Sequence, residues 1–338
     1  MKKEFHKIFR QRKEISVRYD PKREAIWLYS NPSIRPCYSL ALVKEVHELQ
    51  LDIIDYYRRS NMKPKTPVKY FVVASQTPGV YNYGGDLNLF AELIAKKDYD
   101  SLYEYAKLCI DFVYLNRRNL NLPITTISLI EGTALGGGFE AALSCNVCIA
   151  EEQSQMGLPE IRFNLIPGMG AYSFLARSVG IRKAEEIISS GKIYDAATLH
   201  DMGVITTLAK KGEGKKDIDE LMRKNSRQFN GMQAIYAARQ RYSPIDYGEL
   251  IDITKIWADT ALKLSKKDMK LMLKLVEAQN LKNIDKTHKV RTRQDRRFDE
   301  EDVSFPFTDS HGDIVLCDRR KGVDKRDGSQ GDLQDDTQ

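Results

Sequence analysis

The segment IEGTALGGGFEAALSCNVCIAEEQSQMGLPEIRFNLIPGMG, residues 130–170, limits what this chain can fold into more than any other stretch. An apolar, β-branched run from Ile124 to Ile130 feeds three successive glycines, Gly136, Gly137 and Gly138, and then Phe139 to Leu143, which has the composition of a buried helix start. Glycine at a strand-to-helix junction lets the backbone approach a ligand closely. It also leaves helix N-terminal N–H groups aimed at whatever negative charge sits there. Glu140 stands just inside that helix, and Glu160 follows twenty residues later, after a short strand and a turn at Gly157 and Pro159. Two carboxylates are thus delivered to one place by two different elements.

The rest of the chain reads as support for that stretch. Ile15 to Tyr19 and Ala25 to Tyr29 alternate in polarity and flank Asp20-Pro21-Lys22-Arg23, a turn with Pro at its second position, so a β-hairpin is expected. Ser39 caps a helix reaching about Asn61, with Leu42, Val43, Val46, Leu49 and Ile53 on its apolar face and His47 turned to solvent. Val68 to Ala74 is a nearly continuous apolar run, the signature of a strand buried on both faces. A loop from Ser75 to Gly85 leads to Asp86, which caps a helix from Leu87 to Ile94. A longer helix follows from Ser101 to about Arg118, and the chain returns as a strand over Pro123 to Ile130. After Gly170 come helices to Val179 and from Arg182 to Ser190, then a turn and short strand at Gly191 to Ala196. The remainder to about Asn280 reads as helix, with Leu250, Ile253, Ile256, Trp257, Met272 and Leu275 on one side of a long pattern. Strands and helices in this order make an α/β protein.

Composition narrows the class. The chain has 338 residues, 42% of them hydrophobic, enough for a large core, and a formal net charge of +6. Basic residues crowd the N-terminus, at Lys2, Lys3, Lys7, Arg10, Arg12, Lys13 and Arg18. Such a charge forms a solvated surface or steers an acidic partner, an acyl carrier protein or a nucleic acid. No apolar run approaches the ~18 residues needed to span a bilayer, and Met1 to Lys13 lacks the apolar segment of a secretory leader, so a cytoplasmic protein without membrane insertion is expected. Five cysteines, scattered and odd in number, do not make a disulfide framework. Cys145 and Cys148 form a C-x-x-C without a second ligand pair, which reads as two small core residues. The glycines hold no phosphate loop, since no G-K-S/T ending follows them, and no dinucleotide-binding G-x-G-x-x-G is present.

Three segments together resemble the crotonase (enoyl-CoA hydratase/isomerase) superfamily. GTALGGGFEAALSCNVCIA is similar to its G-x-A-x-G-G-G-x-E segment, MGLPEIRFNLIPGMGA to its Q-x-G-x-P-E followed by P-G-x-G, and GVYNYGGDLNLF to its first oxyanion-hole loop. They fall in the family's order over roughly Lys69 to Leu208. The resemblance implies a crotonase-like ββα superhelix with a helical C-terminal region and no cofactor or metal. It divides the chain into an N-terminal hairpin and helix (1–65), a core with the active site (66–210), a helical cover over an acyl pocket (211–285) and a charged, disordered tail (286–338).

A thioester is a poor electrophile until donors placed for an anion hold its carbonyl oxygen. By the resemblance those donors are the backbone N–H groups of Gly85 and Gly137, the second strengthened by the polarity of the helix that carries Glu140. With the enolate stabilised, a carboxylate suffices as base. Glu140 and Glu160 then divide the work, one removing the C2 proton and the other, protonated, delivering a proton to the departing 3-hydroxyl. Neighbouring carboxylates in an apolar pocket titrate as a coupled pair with one raised. Gly84, Leu135, Gly136, Met169, Trp257 and Leu275 are expected to line the substrate pocket.

Within the superfamily, AIWLYSNPSIRPCYS, GGDLNLF and the C-terminal helix with Trp257 look like the diffusible signal factor synthases. That resemblance implies dehydration of a 3-hydroxyacyl chain on acyl carrier protein and hydrolysis of the cis-2-enoyl thioester. The product would be a cis-2-unsaturated fatty acid used as a bacterial quorum signal. It also implies a homo-oligomer and a regulatory sensor-kinase partner. Two rival readings are a conventional enoyl-CoA hydratase/isomerase, which retains both glutamates and acts on CoA thioesters, and an RNA-binding protein on the same fold. The last accounts for the charge but not for the carboxylate pair, so nucleic acid is not the expected partner.

Overall fold

The structure, a computed structural model, describes residues 2–277, residue 279 and the segments Phe307–Thr308 and Ile314–Val315. The chain divides into two compact units, Met1–Lys286 and Thr287–Gln338. A short helix, α1 (Lys2–Ile8), precedes the expected hairpin of β1 (Ile15–Asp20) and β2 (Ala25–Ser30), which pair antiparallel with Asp20 opposite Ala25. The helix α2 (Leu40–Arg59) begins where its sequence signal places it, with Ser39 Oγ accepting the Leu42 N–H at 3.2 Å. His47 departs from its reading: it is half-buried, its Nδ1 is enclosed without a partner, and burial lowers its pKa.

From there the chain winds through a repeat. β3 (Tyr70–Ser75) enters a six-stranded sheet, and β4 (Val80–Asn82) enters a four-stranded one. After α3 (Leu87–Lys96) and α4 (Tyr99–Arg117), β5 (Thr125–Ile130) returns to the large sheet and β6 (Thr133–Leu135) to the small one. After α5 (Gly137–Leu143), β7 (Val147–Glu151) and β8 (Gln155–Gly157) repeat the pattern. Each turn therefore lays one strand on each of two sheets before its helix. The large sheet runs β1-β2-β3-β5-β7 and closes on β10 (Thr207–Ala209), parallel from β2 onward. The small sheet runs β4-β6-β8-β9, where β9 is Ile193–Asp195.

Period-two alternation explains why the central strands read as continuously apolar. Phe71 and Val73 face the main core with Val43, Phe112 and Ile53. Tyr70, Val72 and Ala74 face the other side with Ile127, Leu129, Ile149 and, from α9 (Gly214–Asn225), Ile218 and Met222. Both faces are covered, and each fully buried Val, Ile or Leu contributes roughly 1.5–3 kcal/mol.

The C-terminal part of the main unit is helical, with α6 (Ala171–Val179), α7 (Ile181–Ser190), α8 (Ala196–Asp201), α10 (Phe229–Tyr242) and α11 (Tyr247–Ala261). The long pattern read from Tyr247 to Asn280 is not one helix. It breaks after Ala261 and resumes over 266–277, because Ser265 and Asp268 cap each other: Ser265 Oγ accepts the Asp268 N–H at 3.3 Å and Asp268 Oδ2 accepts the Ser265 N–H at 2.9 Å. Ile256, counted on the apolar side, is 56% exposed.

Much of the basic N-terminus is answered within the chain. Arg12, almost fully buried, pairs with Asp52 of α2 at 2.7 Å, Lys7 reaches the same carboxylate at 3.1 Å, and Arg10 bridges it to Glu48. That part of the charge fastens α1 and the following loop to α2. In the second unit, Phe307–Thr308 pairs antiparallel with Ile314–Val315. The remaining residues of the expected tail lie outside the described ones. Among the described residues, no helix is long and apolar enough to cross a membrane.

Candidate active site

The loop before Asp86 is tied down from three sides. Tyr38 donates its N–H to Gly84 O at 2.7 Å, Tyr83 donates to Pro36 O at 2.7 Å, and the Asn82 side chain accepts the Gly84 N–H at 2.7 Å. Arg35 reaches the Asp86 carboxylate at 3.2 Å, and the same carboxylate caps α3. The Tyr105 hydroxyl accepts the Asp86 N–H and donates to Tyr38 O. These bonds consume the Gly84 amide. The Gly85 amide donates to no group among the described residues.

Gly137 is the first residue of α5, so its N–H has no intrahelical acceptor. It also lies beside Gly85: a Cβ built on Gly137 would stand 3.4 Å from Gly85 N and 3.5 Å from the Gly84 Cα. The Gly85 and Gly137 backbones therefore lie side by side. Left-handed backbone makes this possible at Gly84 (φ +97°) and at Gly136 (φ +49°), where a side chain would strike Leu135 O and the Glu160 carboxylate respectively. α5 has only seven residues, all buried, far below the length at which a helix persists alone. Packing holds it.

Glu140 is 1% exposed, and its Oε1 accepts the N–H groups of Met169 at 2.7 Å and Ala171 at 3.0 Å. Glu160 sits in a 3-10 turn, Pro159–Phe163, that opens on Pro159. The residue is partly exposed, while its Oε2 is enclosed without a partner. Burial pushes both carboxyl groups well above the ordinary carboxylate range. The two amides oppose that push at Glu140, whereas at Glu160 the charge of Glu140 adds to it. Ionised Glu140 therefore favours the protonated form of Glu160.

Both carboxyl groups face a single cleft of about 610 Å³, counting its open mouth. Gly84, Gly85, Gly136, Gly137, Met169, Trp257 and Leu275 line it, so the structure brings together nearly all of the residues named from sequence. Leu135 is the exception. It ends β6 and packs with Val80 and Tyr83 in a small separate cluster, because alternation along the strand turns it away from the cleft. Sequence reading missed Phe90, Tyr105, Cys109, Phe163, Leu165 and Gln279, which also line the cleft. The apolar ones fall on helix faces or turns that periodicity cannot separate from plain core. Cys145 and Cys148 are each 4% exposed, and burial raises both thiols, Cys148 to about 11. Among the described residues, no group of His, Cys, Asp and Glu side chains is arranged to hold a metal ion.

The sequence profile of the enoyl-CoA hydratase/isomerase family matches residues 58–239, more than half of the chain. The chain belongs to the enoyl-CoA hydratase/isomerase family. It is 30% identical over 152 residues to the mitochondrial methylglutaconyl-CoA hydratase of Homo sapiens, a match that covers 45% of this chain and 43% of that protein. To a probable enoyl-CoA hydratase of Bacillus subtilis it is 30% identical over 188 residues, 55% of this chain and 67% of the other. The chain thus spans less than half the length of the mitochondrial hydratases it matches. An enoyl-CoA hydratase from Bacillus halodurans superposes with a TM-score of 0.63 at 16% identity, over 78% of this chain and all of that one. DspI from Pseudomonas aeruginosa superposes with a TM-score of 0.56 at 23% identity, over 70% of this chain and 91% of that one. At such identities these likenesses speak for the fold, a crotonase-like α/β architecture with a helical C-terminal region.

Proposed function

We propose that this chain adds water to, or removes it from, the C2–C3 bond of an acyl thioester, with CoA as the carrier favoured by the family it belongs to. The observation that carries the reading is that two upshifted carboxyl groups line one cleft together with Gly85 and Gly137, whose backbones lie side by side. The two amides hold the thioester oxygen as negative charge develops on it. One carboxylate takes the proton at C2, and the other carboxyl group protonates the leaving 3-hydroxyl. Microscopic reversibility makes the same pair a hydratase.

A finer reading, synthesis of a diffusible signal factor, adds hydrolysis of the thioester and an acyl carrier protein in place of CoA. AIWLYSNPSIRPCYS, GGDLNLF and the buried Trp257 support it. Homo-oligomerisation and a sensor-kinase partner belong to that reading. The conventional hydratase needs none of these additions and accounts for the same site. One assay separates the readings: 3-hydroxybutyryl and 3-hydroxydecanoyl thioesters are incubated with the protein while enoyl absorbance and free thiol are followed together. Enoyl thioester without free thiol is the expected result. Stoichiometric thiol moves the assignment to the synthase, and no change in either signal removes the thioester reading.

A further inference from the structure

Part of the cleft lining is apolar, built from Leu87, Phe90, Leu165, Trp257 and Leu275, and among the described residues no Lys, Arg or His lines it. Gln279 interrupts that lining. It lies one helical turn beyond Leu275 on the same face, is 8% exposed, and lines the same cavity. Its side chain has no hydrogen-bond partner among the described residues, whereas the Tyr105 hydroxyl and the Glu140 carboxylate in the same cavity are already engaged.

A buried primary amide carries two donors and an acceptor, and leaving them unmet is unfavourable. Water can satisfy them while the cleft is empty. A plain alkyl chain entering the cleft would expel that water and offer nothing in its place. An oxygen on the chain would replace it.

We propose that Gln279 is a specificity-determining residue that reads an uncharged oxygen substituent, a hydroxyl or a carbonyl, on the acyl chain beyond C3. The substrate class is then an oxygen-substituted acyl thioester rather than a simple alkyl one. A carboxylate is disfavoured at that point because no cation among the described residues lines the cavity to offset its desolvation. Discrimination of this kind is steep, since a site built to hydrogen-bond an oxygen penalises the analogue that lacks it. This inference rests on the acyl-thioester reading above.

The test is calorimetric binding of inert acyl-pantetheine thioethers to the full chain. The analogues are one plain ten-carbon chain and a series with a single hydroxyl walked from C5 to C10. At one hydroxyl position the wild-type protein is expected to bind at least tenfold more tightly than it binds the plain chain. In Gln279→Leu that ratio falls to about one or inverts. Gln279→Asn, which keeps the amide on a shorter arm, should move the preferred position or weaken it, and it decides the matter if the Leu variant does not fold. A wild-type protein with no preferred position, or a preference that survives Gln279→Leu unchanged, overturns the proposal. Hydration of crotonyl thioester, whose chain ends at C4, is measured on the wild type alongside. Its absence counts against the acyl-thioester reading without altering what the binding ratios say about Gln279.

Discussion

Glu140→Gln and Glu160→Gln are each expected to lower thioester turnover by about 10³-fold while the fold persists, because the change is nearly isosteric and removes only the proton transfer. The geometry sharpens this. Glu140 keeps its place through the amides of Met169 and Ala171, which a Gln carbonyl oxygen can still accept. Glu160 should also reveal itself in stability. Its folded-state pKa is raised by burial and by the Glu140 charge. In the unfolded chain it returns to the ordinary carboxylate value. Below that value both states hold the proton and the native state keeps its full stability. As pH rises from there through the folded value, the unfolded state ionises first and stability is lost. Gln carries no such proton. The stability advantage of Glu160→Gln over wild type should therefore be near zero at pH 4 and grow toward pH 8, by about 1.4 kcal/mol for each pH step between the unfolded and folded pKa values. A pH-independent difference would show that Glu160 is not held as a neutral acid. Wild-type turnover by either variant would remove the paired-carboxylate mechanism.

The second large effect is at Trp257. This side chain belongs to the main core and to the cleft at once: it is 4% exposed, stacks edge-on against Phe90 with ring centroids 5.1 Å apart, and covers Gly168, where no Cβ would fit. Trp257→Ala should therefore destabilise the protein by roughly 3–5 kcal/mol, the range for deleting a large buried aromatic. It should also flatten selectivity for acyl length. Each methylene buried in the channel contributes roughly 0.8 kcal/mol, so about a fourfold preference per methylene should be lost across a series of chain lengths. Thermal melts and rates over that series are read together. A loss of stability with the length preference intact would confine Trp257 to packing.

Where local chemistry dictates structure, the sequence was a sufficient guide. Ser39 and Asp86 cap their helices because their side-chain oxygens meet orphan N–H groups, and the β1–β2 hairpin follows from a Pro-containing turn between alternating strands. Elements set by tertiary contacts were less accessible. β4, β6 and β10 have three residues each, too few for a period of two to register, and exist because neighbouring strands present a ladder to them. The break at Ser265 had a signal of its own: S-K-K-D is a capping pattern, yet the apolar periodicity runs straight across it. At the site, the glutamates and glycines stand out because their chemistry is unusual at those spacings. Leu135 and Gln279 do not, since which way a side chain turns at the end of β6, or on the segment past Leu275, depends on packing.

In the proposed reaction Gly85, Gly137, Glu140 and Glu160 surround one reacting thioester, and a crystal structure with an acetoacetyl thioester bound decides whether they do. The thioester oxygen is expected within about 3 Å of both the Gly85 and Gly137 nitrogens, with C2 and C3 lying between the two carboxyl groups. A thioester oxygen turned away from both amides, or an acyl chain seated outside the cleft beneath Trp257, would contradict it.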